Sequence, residues 1–217
     1  MIDNKEKLRA LLMDPCPLTR EGMKQTLVSS KCIGNDIIET GELYKIPLLV
    51  SKYKPNVLIM ELYGQGESVL DALRVITLCR ASWSNLPIVI CTAIESPRLL
   101  TLVKNMGVRG MCLKSEPIDS IVNCVNQVTS DHCFFSSGVW GGFEKNNYKC
   151  TPLTAKEIDV IEIIFSGKTV TATSSMMSRD VRTVSTHKRN AMEKLGFRND
   201  CDMFTHGDWM SKDKVFS

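Results

Sequence analysis

The chain has 217 residues, 43% of them hydrophobic and 24% charged, with a formal net charge of +3. That is the composition of a soluble globular protein, long enough for one large domain or two small ones, each with its own core. There is no internal repeat or low-complexity tract, and no apolar run approaches the ~18 residues of a membrane span; the first ten residues, MIDNKEKLRA, have no signal-peptide core.

From residue 8 to about 130, short apolar runs recur at Leu8–Met13, Ile33–Ile38, Val57–Met60, Pro87–Cys91 and Arg109–Leu113. Between them lie stretches with helical spacing, such as Leu70, Leu73, Val75, Ile76 and Cys79, and later Ile118, Ile121, Val122, Val125 and Val128. Five strands alternating with five helices predict an α/β fold, a doubly wound parallel sheet covered on both faces. The second helix is the weakest of these readings, because Pro47 interrupts its pattern. The nine cysteines include no Cys-x-x-Cys pair and fall mostly in apolar patterns. They read as reduced thiols packed as small hydrophobes in a cytoplasmic protein, without zinc.

Ligands and reactive groups gather outside the carboxyl ends of parallel strands. Here those ends deliver Asp14, Glu61, Thr92 and Lys114. Two acids, a hydroxyl and an amine in that order resemble the receiver domain of response regulators, over about 125 residues. The resemblance implies a CheY-like five-stranded fold, a phosphoaccepting aspartate after the third strand and a magnesium ion held by an acid pair after the first. This chain departs at both positions. Pro15 stands where the second acid of the pair belongs, and Glu61 stands at the phosphoacceptor seat. Magnesium needs near-octahedral oxygen ligands, and in-line phosphoryl transfer depends on positioning, so a missing carboxylate and a longer one weaken both. Asp14, Glu61, Thr92 and Lys114 thus read as a degenerate phosphorylation site in a pseudo-receiver. Whether Glu61 mimics the charged state beside Lys114 or is only a remnant is left open by the sequence.

Residues 134–150, FFSSGVWGGFEKNNYKC, mix Gly, Ser and Asn with aperiodic aromatics and read as a linker, with Trp140 or Phe143 as residues that dock on a domain. The expected domains are therefore 1–133 and 151–217, with Ser211–Ser217 a frayed tail.

From Thr151 the pattern is helical. Thr154 and Glu157 make a capping pair, the stripe Ile158, Ile161, Ile164 and Phe165 follows, and Gly167 ends it. Asp180 caps a further helix from Val181, in which Val184, Ala191 and Leu195 line one side with Lys188. Residues 163–198 hold seven Lys/Arg against two acids, Asp180 and Glu193, a larger excess than the whole chain carries. A short helix, a tight turn and a polar, basic second helix describe a helix-turn-helix, here Thr171 to Asn190. The order LT..E, the Gly167 break and DVRTVSTHKRNAMEKLG resemble the LuxR/NarL-type DNA-binding domain. Together with MDPCPLTREG and DIIET, they resemble the Rcs-type capsule-synthesis regulators and the auxiliary proteins, lacking a phosphoacceptor, that heterodimerise with them.

On this resemblance the chain is a DNA-binding transcription regulator whose receiver serves dimerisation. Its DNA-contacting residues would be Arg179, Arg182, Thr183, Ser185, Thr186, His187, Lys188, Arg189, Asn190 and Lys194. Expected partners are double-stranded DNA and a second copy or an Rcs-type response regulator, with RNA polymerase a further candidate and no membrane. The expected location is the cytoplasm, on the nucleoid when bound to DNA. The alternative is an auxiliary interaction module that modulates a partner regulator while binding DNA weakly itself. The family usually has an Ile-Ala pair in its scaffold helix where this chain has Thr173-Ser174, and buried hydroxyls need partners, which favours that alternative. No nucleophile-base pair or phosphate loop points to an enzyme, and no catalytic residue, cofactor or metal ligand is expected.

Overall fold

The computed structural model describes residues 8–144 and 150–210. Strands β1 (Ala10–Met13), β2 (Ile37–Thr40), β3 (Val57–Met60), β4 (Ile88–Thr92), β5 (Gly110–Leu113) and β6 (Phe134–Phe135) form one parallel sheet in the order β2-β1-β3-β4-β5-β6. Helices α1 (Pro17–Ser29), α2 (Ile46–Tyr53), α3 (Val69–Ser82), α4 (Pro97–Asn105) and α5 (Asp119–Thr129) connect the six strands in turn. Alternate strand residues feed two cores, which is why the strands read as continuous apolar runs. Leu11, Met13, Leu58, Met60, Ile88 and Ile90 pack on the side of α2, α3 and α4, whereas Leu12, Val57, Ile59, Val89 and Cys112 meet α1 and α5.

Three sequence readings need correction. The second strand starts at Ile37 rather than Ile33, and Ile33 instead buries its side chain from a loop into the core under α1 and α5. Pro47 does not interrupt the second helix; it lies in the first turn of α2, where its missing N–H has no intrahelical partner to lose. The stretch expected as linker is structured over residues 134–144. Phe134–Phe135 extends the sheet as a sixth strand, pairing with Gly110 and Met111, and α6 (Ser137–Glu144) packs on α4.

Aromatic docking explains that last difference. Phe135, Trp140 and Phe143 meet edge to face at centroid separations of 5.5–6.0 Å, and the Lys104 ammonium lies 4.3–5.4 Å from their three centroids. Glu116 accepts the Gly138 amide at 2.9 Å, holding the start of α6. Residues 145–149, the first seven residues and the tail expected to fray lie outside the described residues.

Four α-helices follow among the described residues: α7 (Ala155–Phe165), α8 (Val170–Met176), α9 (Val181–Lys194) and α10 (Asp200–His206). Ile158, Ile161 and Ile164 of α7, Val184 and Ala191 of α9, Leu195 and Met203 form their core. Among the described residues no helix is long and apolar enough to cross a membrane.

Candidate functional site

The four strand-end residues lie together at the carboxyl end of the sheet. Asp14, Glu61 and Lys114 each follow their strand by one residue and still bond to a neighbouring strand: Asp14 to Thr40, Glu61 to Met13 and Lys114 to Thr92, backbone N–H to carbonyl at 2.8–3.1 Å. Asp14, Glu61 and Thr92 are buried. The Lys114 ammonium lies between the two carboxylates, 2.6 Å from Asp14 Oδ2 and 2.8 Å from Glu61 Oε2. Glu61 also accepts the amides of Leu62 (2.6 Å) and Ala93 (3.1 Å), and Asp14 Oδ1 accepts that of Cys16 (2.9 Å). Burial pushes the Glu61 carboxyl up, against the opposing pull of Lys114 and the Thr92 hydroxyl. Burial also opposes the Lys114 charge, but Glu61 and Asp14 outweigh it and raise the ammonium above its ordinary value.

This arrangement does not fit the magnesium ion that a receiver-like fold implies. A hard divalent cation wants several oxygen donors at about 2.0–2.1 Å. Here only two side-chain carboxylates face the point, a protonated amine bridges them, and Pro15 contributes no oxygen from its side chain. Among the described residues no group of three His, Cys, Asp or Glu side chains is placed to hold a metal.

The C-terminal helices are set by local chemistry. Thr154 accepts the Glu157 amide and the Glu157 carboxylate accepts that of Thr154, so α7 begins in a reciprocal capping box. Gly167 takes a φ of +84° after α7, a left-handed turn that a glycine enters without strain. The hydroxyls of Thr173 and Ser174 are buried but satisfied within α8, donating to the carbonyls of Thr169 (2.9 Å) and Thr171 (2.8 Å). Those two residues therefore leave no unpaired hydroxyl in the core.

Asp180 caps α9 by accepting the Arg182 amide at 2.7 Å. Val184 and Ala191 turn inward, while Arg182, Thr183, Ser185, Thr186 and Arg189 are exposed on the other side, with Arg179 exposed just before the helix. His187 and Asn190 are half-buried at the flanks of this face. The remaining two candidates are engaged within the domain. Lys188 bonds Asp200 at 2.5 Å with its side chain largely covered, and Lys194 bonds Glu157 at 2.8 Å, tying the end of α9 to the start of α7.

Comparison with known proteins agrees with this geometry. Residues 151–206 match the family model described as bacterial regulatory proteins, luxR family. Residues 151–206 are a LuxR-family helix-turn-helix domain. The whole chain is similar to the transcriptional regulatory protein MctR of Rhizobium johnstonii, at 27% identity over 88% of this chain and 89% of that one. It is also similar to RcsB of Escherichia coli K12, at 23% identity over 92% and 93%. A solved structure of Salmonella enterica serovar Typhimurium RcsB, described as bound to promoter rprA in the presence of phosphomimetic BeF3−, superimposes with a TM-score of 0.66 at 22% identity. That likeness spans 92% of this chain and 98% of the other, and covers both the receiver-like sheet and the helical unit.

The LuxR-family domain rests on α3 and α4 of the receiver-like domain. Arg74 of α3 reaches Asp159 (3.0 Å) and Glu162 (2.8 Å) of α7. Arg98 of α4, buried, faces Asp202 at 3.2–3.3 Å and lies over the Phe197 ring at 4.6 Å. Asn105 donates to the Cys150 carbonyl at 2.6 Å, and the 3-10 turn Asp208–Met210, with Trp209 and Met210 buried, packs on α3 and α7. None of these residues was singled out from the sequence. In sequence the charged ones read as ordinary helix charges, and each has its partner far along the chain.

Proposed function

We propose that this chain is a DNA-binding transcription regulator of the LuxR/RcsB type whose receiver-like domain works without phosphorylation and serves for dimerisation. The observation that carries the reading is the face of α9. Arg182, Thr183, Ser185, Thr186 and Arg189 stand exposed on the helix that a helix-turn-helix inserts into the major groove. Arginine suits a bidentate contact to guanine and the hydroxyls suit phosphates. The phosphorylation-independent part rests on the Asp14–Lys114–Glu61 cluster, where the ammonium already pairs with both carboxylates and, on the receiver resemblance, Glu61 stands in the phosphoacceptor seat. Dimerisation is supported by Leu18 and Ile118, both exposed, beside an apolar cavity of about 280 Å³ between α1 and α5.

The test is fluorescence anisotropy with labelled duplex DNA over a salt series. Arg189→Ala is expected to weaken binding by about 1–3 kcal/mol and, if Arg189 meets a phosphate, to lower the salt slope by about one. Unchanged affinity removes α9 from the interface.

A second reading has one specific observation in its favour. With Lys188 and Lys194 engaged by Asp200 and Glu157, fewer cations of α9 face outward than its sequence suggests. An auxiliary protein that assists an Rcs-type partner regulator, with weak affinity of its own, fits that restriction. Binding that becomes detectable only when such a partner is added distinguishes this reading from the first.

A further inference from the structure

The contact between the two domains has a polarity. Over residues 151–206 the chain carries eight Lys/Arg and seven Asp/Glu, so the LuxR-family domain has a formal charge of only +1 and its attraction for a polyanion depends on where the charges sit. Asp159, Glu162 and Asp202 sit where Arg74 and Arg98 of the receiver-like domain meet them. The contact is not only ionic, since Trp209 and Met210 are buried beside α3 and α7, and Asn105 holds the Cys150 carbonyl. None of these groups lies on α9, and the outward residues of α9 remain exposed with the domains in contact.

We propose that this contact is a permissive clamp: DNA binds the docked form, with no release of the receiver-like domain. Docking leaves the α9 face open and places two arginines against three carboxylates that would otherwise repel phosphates. Steric masking would require receiver side chains against Arg182, Ser185, Thr186 or Arg189. An electrostatic penalty for docking would require acids, rather than arginines, on the receiver side. This inference rests on the DNA-binding reading above and adds how that site is presented.

The experiment locks the contact. Ser96, at the N-cap of α4, and the exposed Cys201, on α10, line the same cleft between the domains. In a full-length chain with Ser96→Cys, and with the other exposed cysteines removed by Cys16→Ser and Cys133→Ser, a short bismaleimide joins position 96 to Cys201. The same chain blocked by a monofunctional maleimide is the unlocked control, identical in charge. Small-angle scattering on the wild-type chain is expected to fit the docked arrangement, with a larger radius of gyration in the Arg74→Glu/Arg98→Glu chain. Locked and unlocked forms are expected to bind duplex DNA within about threefold of each other, or the locked form more tightly. A loss of about tenfold or more on locking overturns the clamp and makes the contact autoinhibitory, while leaving the DNA-binding reading intact. An extended wild-type chain, or no cross-link, overturns the docked arrangement itself. If neither form binds DNA at low salt while both remain folded by circular dichroism, the DNA-binding reading fails and the clamp with it.

Discussion

At the scale of single residues, Lys114 carries the receiver-like site. Asp14 and Glu61 are buried, and the ammonium bridging them is what lets two carboxylates share one buried point. Removing one partner of such a cluster leaves charge stranded, so Lys114→Met is expected to cost about 3–5 kcal/mol in urea unfolding at neutral pH. Adding Glu61→Gln in that background is expected to recover part of the loss, because an amide needs no counter-ion. A loss below about 1 kcal/mol would mean that the pair is solvated and contributes little. The constellation was legible in the sequence because strand ends in a parallel sheet are fixed by short apolar runs. That Lys114 bridges both acids was not, since it depends on side-chain geometry across three strands.

At the scale of elements, the clearest sequence signals were caps. Thr154 with Glu157, Gly167 and Asp180 all act where their spacing indicates, because capping is a local exchange of hydrogen bonds. Pro47 and residues 134–144 were misread for the opposite reason: a proline's position within its helix and an aromatic cluster's docking partner are decided by the surrounding fold. Glu157 links the two kinds of information, since it closes the capping box and also holds Lys194. Burial raises its carboxyl, but Lys194 and the Thr154 groups outweigh that and bring it below the ordinary value. A lowered folded value stabilises the fold above the unfolded value of about 4.3, and that contribution is lost as pH falls through the folded value. Glu157→Gln keeps a capping side chain but removes the charge. Its unfolding free energy is expected to lie about 1–3 kcal/mol below wild type at pH 7 and to converge with it in acid. A gap that persists below about pH 3 would assign the effect to packing rather than charge.

At the scale of the molecule, the doubly wound domain and the helix-turn-helix could be read from sequence, and their mutual placement could not. The residues that join them, Arg74 with Asp159 and Glu162 and Arg98 with Asp202, are separated by 85 to 104 positions and obey no periodicity. The proposed dimer surface belongs to this scale as well. Leu18→Asp with Ile118→Asp is expected to shift sedimentation toward the monomer without altering circular dichroism, whereas an unchanged dimer would place the interface elsewhere.

The central claim, DNA binding through α9 under a receiver that needs no phosphate, is tested most directly by one titration. The full chain is titrated into duplex DNA with and without a small phosphodonor and magnesium, and its mass is recorded in parallel. The account predicts the same affinity in both conditions, no added phosphate, and a loss on Arg189→Ala. Stoichiometric phosphate that disappears in Glu61→Ala, together with an affinity rising about tenfold on phosphodonor addition, would contradict it.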